Sequence, residues 1–237
     1  FNVIAGSTRQ RFAELNSSTG ALQPLSISFN SNVWDISVSG NLLALGGDFT
    51  EANGTSRPYC AEIDLGSETL TSKNLQFDGR VSAILYDGND IIVGGNFDNS
   101  QFRAIERIAE LDIASNSLTS FDPGNCNSTV DEILLDNGEL FVAGSFSNIG
   151  GEARLRLASL NAESGSLNPL DIPVNNGIRE LTIDDDILYV AGFFSTVDGI
   201  ERENLASINL TTESVTDWNP NPDNTVNAIF VVGEDLI

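Results

Sequence analysis

The sequence predicts an all-β protein made of repeated, four-stranded antiparallel units, and three observations lead to this fold class. A short apolar run that ends in glycine recurs along the chain, and the recurrence has a nearly constant period of about 48 residues. No segment shows the 3.6-residue apolar spacing of an amphipathic helix over three turns. Four strands in such a period are typical of a propeller blade. The sequence therefore predicts a β-propeller of five repeats, either as a five-bladed ring or as five blades of a larger ring.

The glycine-stopped run is the second strand of each unit, strand B. Its glycines are 48, 49 and 48 residues apart at Gly47, Gly95, Gly144 and Gly192. A short run of β-branched and aromatic residues closed by glycine indicates a buried strand. The four clear copies are Leu43–Phe49, Ile91–Phe97, Leu140–Phe146 and Leu188–Phe194, and Asn2–Thr8 is interpreted as a degraded fifth copy.

The other three strands keep the same phase. Strand A precedes strand B and begins at Val33, Val81, Val130, Ile178 and Val226. Turns rich in Gly, Asn and Asp join A to B, which predicts tight hairpins because these residues tolerate positive φ. Strand C is marked by a recurring alanine: Ala13, Ala61, Ala109, Ala158 and Ala206. Strand D starts near Leu22, Leu70, Leu118, Leu167 and Val215.

A single period that runs from end to end predicts one propeller domain over residues 1–237. The blades, counted from strand A, are predicted at 31–77, 79–123, 128–173, 177–220, and 224–237 together with 1–27. In the last of these, the C-terminal strand A would pair with the N-terminal strands and remove open sheet edges. Because the sequence begins in one strand motif and ends in another, we expect it to be part of a longer surface protein.

The composition narrows the possible partners. The formal net charge is −23, from 34 acidic and 11 basic residues, and Lys73 is the single lysine. Such a surface repels phosphate backbones and anionic lipids, so we expect neither nucleic-acid binding nor, without an apolar run of roughly 18–20 residues, direct membrane insertion. The chain has no histidine and no Cys-x-x-Cys, which excludes zinc sites and histidine-dependent catalysis in this sequence. Cys60 and Cys126 occupy non-equivalent repeat positions, so two free thiols are favoured over a disulfide between them.

A longer motif appears in the fourth repeat as Gly192, Phe194, Gly199, Arg202, Ala206, Ile208, Asn209, Trp218, Asn219 and Pro220. The third repeat matches it at Gly144, Phe146, Gly151, Arg154, Ala158, Leu160 and Asn161. With these residues the chain resembles the delta-sixty-type propeller repeats of large bacterial and archaeal surface proteins, and fungal cortical polarity-marker proteins carry a similar repeat. The resemblance covers essentially all residues. It implies a secreted or cell-surface protein in which the propeller is a display or adhesion module.

Two repeats depart from this pattern. The first has a short B–C connection, from Ser7 to Gln10, and lacks the aromatic residue after Gly6. The second has Ile105 where the motif expects arginine.

The loops between strands B and C emerge on the same propeller face as those between D and A, and loops on one face are where partner binding is expected. The predicted ligand or partner face comprises Glu51, Asn53, Arg57, Asn99, Arg103, Asn148, Arg154, Asp198 and Arg202. Four arginines, at positions 9, 57, 154 and 202, lie four residues before the alanine of strand C. We favour a structural interpretation of these arginines, in which each locks its loop to the blade through a carboxylate or a backbone carbonyl.

Carboxylates recur at the third residue of strand A, as Asp35, Glu132 and Glu180. Because strand A lines the channel of a propeller, these three residues are candidates for the acid and base of a glycosidase. Their equivalence in a repeat argues against it, since such pairs need distinct environments. Asp184, Asp185 and Asp186 are weak candidates for binding Ca²⁺, but they lack EF-hand spacing and suit a plain turn better. No other metal or cofactor is expected.

The function predicted from these observations is a non-catalytic extracellular adhesion, scaffold or recognition module. Its expected partners are other protein domains or cell-surface glycans. One alternative is a carbohydrate-binding lectin propeller, against which the divergence of the B–C loops counts. A second alternative is a polysaccharide hydrolase that uses the channel carboxylates. The sequons at Asn16, Asn53, Asn127 and Asn209 are explained by chance in a chain rich in Asn, Ser and Thr.

Overall fold

The computed structural model describes residues 1–100, 103–233 and 235–237. The regular structure of the described residues is β-strand. These residues contain no helix long and apolar enough to cross a membrane. The chain divides into two compact units, of which the first comprises residues 1–105 and 109–119 and the second residues 106–108 and 120–237.

The strands run in chain order as follows. The first unit contains β1 (Val3–Ile4), β2 (Ser7–Thr8), β3 (Val33–Ser39), β4 (Leu42–Gly47), β5 (Glu51–Ala52), β6 (Thr55–Ser56), β7 (Cys60–Asp64), β8 (Thr69–Leu70), β9 (Arg80–Asp87), β10 (Asp90–Asn96), β11 (Asn99–Ser100), β12 (Arg103–Ala104), most of β13 (Ile108–Asp112) and β14 (Ser117–Leu118). The second unit contains β15 (Val130–Asp136), β16 (Glu139–Gly144), β17 (Asn148–Ile149), β18 (Glu152–Ala153), β19 (Leu157–Asn161), β20 (Ile178–Asp184), β21 (Ile187–Gly192), β22 (Thr196–Val197), β23 (Ile200–Glu201), β24 (Leu205–Asn209), β25 (Ser214–Val215), β26 (Val231–Val232) and β27 (Asp235–Leu236).

The described part of the first unit has two antiparallel sheets of four strands, ordered β3-β4-β7-β8 and β9-β10-β13-β14. The second unit has the sheet β20-β21-β24-β25 and the sheet β15-β16-β19, which a bridge between Leu160 and Leu167 extends by the start of strand D. Each sheet therefore follows the predicted order A-B-C-D. The all-β fold of repeated four-stranded antiparallel units is confirmed.

Neighbouring sheets within a unit pack face to face through apolar residues. In the first unit, Ala44 and Cys60 of one sheet join Val81, Ile84 and further residues of the next in one buried cluster. In the second unit, Phe141, Ala143 and Leu157 of one sheet pack against the β20–β21 hairpin in the same way. A single sheet cannot cover both of its apolar faces, so stability depends on contact between adjacent repeats.

The glycine that ends each strand B is dictated by close backbone contact. A Cβ built on Gly144 would lie 2.1 Å from the carbonyl oxygen of Thr129, and the corresponding distance at Gly47 is 2.2 Å to Asn32. The phenylalanine two residues later is fully buried, as Phe49, Phe97, Phe146 and Phe194 show. In the Gly-x-Phe motif, the glycine is therefore required by close backbone contact, and the phenylalanine fills the core.

A β-bulge lies opposite these glycines in each of the four sheets. Val33 pairs with Gly47 and Asp35 with Gly46, so Trp34 is the extra residue of strand A. The same register shift leaves out Ser82, Asp131 and Arg179 in the other sheets. A bulge bends the strand and turns the extra side chain away from the ladder.

The interpretation of Asn2–Thr8 as a strand B was wrong. Val3 pairs with Thr8 and Ile4 with Ser7 across a turn in which Ala5 and Gly6 have positive φ. This hairpin lies 48 residues before the β5–β6 hairpin, so it is the B–C connection of the first repeat. Strand C and strand D of that repeat meet at the bridge between Leu15 and Leu22. The spacing of Arg9 and Arg57, also 48 residues, was the signal for this frame.

At the other end of the chain, β26 pairs with β27, as predicted for strands A and B of the last repeat. The strands described at the two ends pair locally, as β1 with β2 and β26 with β27. The blade boundaries, the single domain and the closure of a ring stay predictions.

Both cysteines are buried free thiols. Burial raises the pKa of the Cys60 thiol to about 12, with a further contribution from the charge of Glu62. Burial likewise raises the pKa of Cys126 to about 11. Neither thiol carries a significant thiolate fraction at neutral pH, so both behave as small apolar core residues.

Candidate functional site

The connections between strands B and C are short two-stranded hairpins, not open loops. We call them the rim hairpins: β5–β6, β11–β12, β17–β18 and β22–β23. Their described turns place Asn53 and Gly54, Gly150 and Gly151, or Asp198 and Gly199 at positive φ. Two consecutive positive φ angles define the tight hairpin turn that suits the twist of the flanking strands.

Each rim hairpin is attached to the segment that precedes strand A. Ala52 forms an isolated antiparallel bridge with Phe29, and the equivalent bridges join Ser100 to Phe77, Ile149 to Cys126 and Val197 to Val174. The hairpin residue of each bridge is fully buried. Cys126 thus occupies the position that Phe29 and Phe77 fill in the first unit.

A second attachment uses an Asn or Asp two or three residues before strand A. Asn127 Oδ1 accepts hydrogen bonds from the backbone N–H groups of Ser147 (3.0 Å) and Asn148 (3.1 Å), and its Nδ2 donates to Ser147 Oγ. Asn30, Asp78 and Asn175 use their Oδ1 in the same way, 20 and 21 residues ahead. This attachment was missed in the sequence, although its 48-, 49- and 48-residue spacing is visible there.

The repeated arginines form a third attachment, and their structural interpretation is confirmed. Arg202 donates from one terminal nitrogen to the carbonyl of Glu201 and from the other to the carbonyl of Thr216, 14 residues ahead. Arg57 makes the same pair of bonds, to Ser56 and Thr71. Arg9 and Arg154 also reach the carbonyl 14 residues ahead, at Gln23 and Asn168. Each guanidinium therefore ties a rim hairpin, or its equivalent β1–β2, to the residue that directly follows the paired part of strand D.

The residues of the predicted partner face fall into a buried group and an exposed group. Arg57, Arg154 and Arg202 are buried and use their donors on backbone carbonyls. Glu51, Asn53, Asn99 and Asp198 are exposed, and Asn148 is half-buried. The backbone of Arg103 lies in β12, and its side chain lies outside what the structure describes. Glu152 and Glu201 add exposed carboxylates to the same hairpins. The described rim hairpins thus expose acidic groups and hold their arginines inside.

The predicted channel carboxylates occupy equivalent register positions. Asp35 lies opposite Gly46, while Glu132 and Glu180 lie opposite Ala143 and Ala191 on neighbouring strands of the second unit. Asp35 Oδ2 accepts a hydrogen bond from the backbone N–H of Ile84 at 2.8 Å, and Oδ1 accepts one from Ile36 at 2.7 Å. Burial raises the pKa of Asp35 in spite of these two bonds. Asp35 therefore links strand β3 to strand β9.

The acidic turn candidates for Ca²⁺ sit in the β20–β21 hairpin. Asp184 pairs with Ile187, and Asp185 has positive φ. The described residues contain no group of three or more His, Cys, Asp or Glu side chains arranged to hold a metal ion. The segment from Asp184 to Ile187 is a tight turn.

A buried polar position in the middle of strand C was also missed. It is Glu62, Glu110, Ser159 and Ser207 in successive repeats. Glu62 is bound by Lys73 and Tyr86, Ser159 donates to Glu139, and Ser207 shares a hydrogen bond with Thr216. Glu110 accepts a hydrogen bond of 2.5 Å from the hydroxyl of Thr119. These groups form hydrogen bonds within their own sheet or, for Glu62 and Tyr86, between two neighbouring sheets.

Glu110 should make stability depend on pH. Burial raises its pKa above the ordinary 4.5, the bond from Thr119 opposes this, and the charges of Asp90 and Asp87 add to the rise. The folded state thus keeps a proton that the unfolded state has lost, so the free energy of unfolding falls as pH rises from about 4.5 through the raised pKa. Glu110→Gln should remove the contribution of Glu110, which makes the slope shallower, and should be more stable than the wild type at pH 7.

Urea unfolding at intervals between pH 4 and pH 8 measures this effect. Glu163→Gln, the same change at an exposed turn residue, is the matched control and should leave the slope in place. An unchanged pH profile in Glu110→Gln would contradict the assignment.

Comparison with known proteins supports the fold. Residues 135–170 match a family described as a β-propeller domain of unknown function (DUF5122). This stretch runs from the end of β15 to the segment after β19. The match therefore assigns a β-propeller repeat to the third repeat of the sequence. Curated proteins give no match.

Solved structures resemble the chain over most of its length. The computationally designed Ika8 protein superposes with a TM-score of 0.62 at 14% identity, covering 94% of this chain and 60% of that one. The extracellular domain of BT4673 from B. thetaiotaomicron gives 0.60 at 15% identity, covering 97% and 27%. A chain of the mitotic checkpoint complex gives 0.56 at 16% identity, covering 85% and 55%. The chain thus spans between about a quarter and three fifths of these proteins, and identities this low show only the fold. The repeated four-stranded sheets and the family match together define this chain as a β-propeller repeat protein.

Proposed function

We propose that this chain is a non-catalytic recognition or scaffold module of a secreted or cell-surface protein, and that it binds other protein domains through the rim hairpins. The observation that carries the proposal is the division of charge on these hairpins. Their buried arginines hold the fold, and the charged side chains that the described hairpins expose are acidic: Glu51, Asp198, Glu201 and Glu152, the last of which pairs with Arg154 at 3.2 Å. Charge complementarity then favours a partner with a basic surface.

The repeated attachments also support recognition over catalysis. A hydrolase would need carboxylates held in distinct environments, whereas Asp35, Glu132 and Glu180 share one register position. Asp35 in addition spends both carboxylate oxygens on backbone N–H groups. The rim hairpins instead combine a rigid base with tips that differ between repeats, which is the usual design of a binding surface.

The repeat family, the closure of the ring and the localisation are part of the same proposal. We take the repeats to be of the delta-sixty type and to close into a five-bladed ring. Surface localisation is supported by the likeness to an extracellular domain, at the level of the fold.

Binding of the labelled chain to an array of glycans and of extracellular protein domains tests the proposal. The test variant is Glu51→Gln/Glu152→Gln/Glu201→Gln on the rim hairpins. The matched control is Glu68→Gln/Glu163→Gln/Glu213→Gln, the same chemical change at exposed residues on the C–D side of the sheets. We expect binding to basic protein domains that falls about tenfold, roughly 1.4 kcal/mol, in the test variant alone.

Three outcomes would contradict the proposal. The first is binding lost equally in both variants, and the second is binding confined to glycans, which would indicate the lectin. The third is cleavage of a polysaccharide that disappears in Asp35→Asn/Glu132→Gln/Glu180→Gln, which would indicate the hydrolase.

A further inference from the structure

The sheet that begins with β20 presents an arginine and a phenylalanine together at the bulge of its strand A. Arg179 is the residue that the ladder leaves out between Ile178 and Glu180, and it is exposed. Phe193 lies between β21 and the β22–β23 rim hairpin and is 38% exposed. Since a bulge turns a side chain out of the ladder, Arg179 is presented close to the start of a rim hairpin.

The ring of Phe193 gives the guanidinium a fixed base. The central carbon of the Arg179 guanidinium lies 5.0 Å from the centre of the ring. A Cβ built on Gly177 would lie 2.3 Å from Cζ of Phe193, so the glycine leaves the space that the ring fills. The N–H of Phe193 also donates to the carbonyl of Gly177 at 3.0 Å. Ring and guanidinium attract each other as a cation–π pair, which orders the arginine before a partner binds.

The other sheets do not repeat this combination. In the sheets that begin with β3, β9 and β15, the positions of Gly177, Arg179 and Phe193 are filled by Asn32, Trp34 and Asp48, by Arg80, Ser82 and Asn96, and by Thr129, Asp131 and Ser145. Two of these pairs are hydrogen-bonded, since Trp34 Nε1 donates to Asp48 Oδ2 at 2.8 Å and Ser145 Oγ donates to Asp131 Oδ2 at 3.4 Å. At Arg179 a ring takes the place of the hydrogen-bonding partner, so the donors of the bulge residue are left over.

The exposure of this pair does not come from the end of the sequence. Strand β20 lies between β15 and β26 within the second unit, so both of its neighbours in the row of A strands are present. Beside Phe193, the N–H of Val226 donates to the carbonyl of Gly192 at 3.0 Å, which places the following repeat in contact already. Closure of the ring would add no further strand next to β20.

The guanidinium of Arg179 has donors available for a partner. It makes no hydrogen bond and no ion pair in the part of the chain that the structure describes, where its contact is the ring of Phe193. The buried Arg57 and Arg202 differ, because their donors are used on backbone carbonyls. The donors of a guanidinium lie in its plane, so stacking leaves them free, and their spacing matches the two oxygens of a carboxylate. In a chain with a net charge of −23, such an arginine favours a single anionic group on an otherwise basic partner.

We propose that Arg179 binds one aspartate or glutamate side chain of the partner domain, with the carboxylate on the guanidinium and the adjoining methylene groups against Phe193. The inference rests on the proposed recognition function and deepens it, because it names the group that orients the partner. The acidic rim hairpins attract the basic surface of the partner, and Arg179 fixes its register. A sugar is disfavoured at this position, since the guanidinium covers a face of the ring on which a sugar would stack.

A pair of short peptides with blocked ends tests this site directly. Both are uncharged except that one carries a central aspartate where the other carries asparagine. The readout is the side-chain Nε–Hε signal of Arg179 in protein with isotope-labelled arginine, and the NMR titration gives the affinity. The wild type should bind the aspartate peptide at least about tenfold more tightly than the asparagine peptide. Arg179→Gln should bind the two peptides alike.

Two further variants show whether charge alone or the stacked geometry is responsible. Arg11→Gln removes the same charge at another exposed arginine and should keep the preference for aspartate. Phe193→Ser introduces the residue found at the equivalent Ser145 and should weaken the preference several-fold, because the guanidinium loses its base. Equal binding of the two peptides by the wild type, or a preference that survives in Arg179→Gln, would overturn the proposal. So would a uronic-acid oligosaccharide that competes better than the aspartate peptide, which would indicate an acidic glycan.

The same two peptides with lysine-rich flanks separate this proposal from the recognition function. The lysine residues should strengthen the binding of both peptides, and Glu51→Gln/Glu152→Gln/Glu201→Gln should weaken both equally without changing their ratio. A preference for aspartate with no gain from lysine would contradict the recognition function and support this site. A gain from lysine with no preference for aspartate would support the recognition function and overturn this site.

Discussion

Replacing Gly192 with alanine should destabilise the protein by at least about 3 kcal/mol, the upper end of ordinary overpacking costs. An added Cβ would lie 2.1 Å from the carbonyl oxygen of Gly177 and 3.0 Å from the Cα of Ile178. Both atoms belong to backbone that the bulge of strand A holds in place, so neither can move aside cheaply. The measurement is the free energy of unfolding from urea titration followed by circular dichroism.

Gly66→Ala provides the control for this substitution. The nearest atoms to a Cβ at Gly66 are the ends of two side chains, Asp64 at 3.3 Å and Asn41 at 3.5 Å, and φ is not positive there. Its cost should stay below about 1 kcal/mol. Equal losses in the two variants would show that glycine is retained at strand B for a reason other than close backbone contact.

Replacing Lys73 with methionine should cost about 3 kcal/mol, because it leaves a buried carboxylate without its cation. Glu62 is 2% exposed, and its two oxygens lie 3.1 and 3.0 Å from the Nζ atom of Lys73. Tyr86 donates a further hydrogen bond to Glu62 at 3.1 Å, which cannot neutralise the charge. Urea unfolding of Lys73→Met against the wild type gives the loss.

The double variant Lys73→Met/Glu62→Gln separates loss of a cation from loss of packing. Removing the carboxylate charge should recover most of the stability, since the two residues act as a pair and their effects are not additive. A double variant as unstable as Lys73→Met alone would mean that the aliphatic part of the lysine, and not its charge, is what the blade needs.

The repeat and its strands could be predicted from the sequence because their cause is local and periodic. Strand B ends in glycine because a Cβ at that position would lie within 2.2 Å of the backbone that leads into strand A, as at Gly47 and Gly144. The buried phenylalanine that follows gives each copy the same signature. Fold class, strand order and the free state of the cysteines follow from patterns of this kind.

The errors and omissions have physical causes too. Asn2–Thr8 imitates strand B because a tight hairpin and a strand end both need glycine after β-branched residues, and only the phase of Arg9 distinguishes them. The role of Asn30 and Asn127 was hidden because Asn is common in loops and its partners lie 20 residues away. Glu62 was missed because a charged residue in a strand suggests an exposed face, and the cation that allows its burial is 11 residues distant.

The way in which the rim hairpins are attached has a practical consequence for engineering. The side chains that hold the β17–β18 hairpin, Asn127 and Arg154, both lie outside its turn, and their partners are mainly backbone groups. Of the two turn glycines, Gly150 donates its N–H to the carbonyl of Asn125 at 3.1 Å, whereas Gly151 is exposed and has no atom within 4 Å of a Cβ built on it. Foreign peptides inserted after Gly151 would therefore leave these attachments in place, which makes the chain a natural frame for grafted loops.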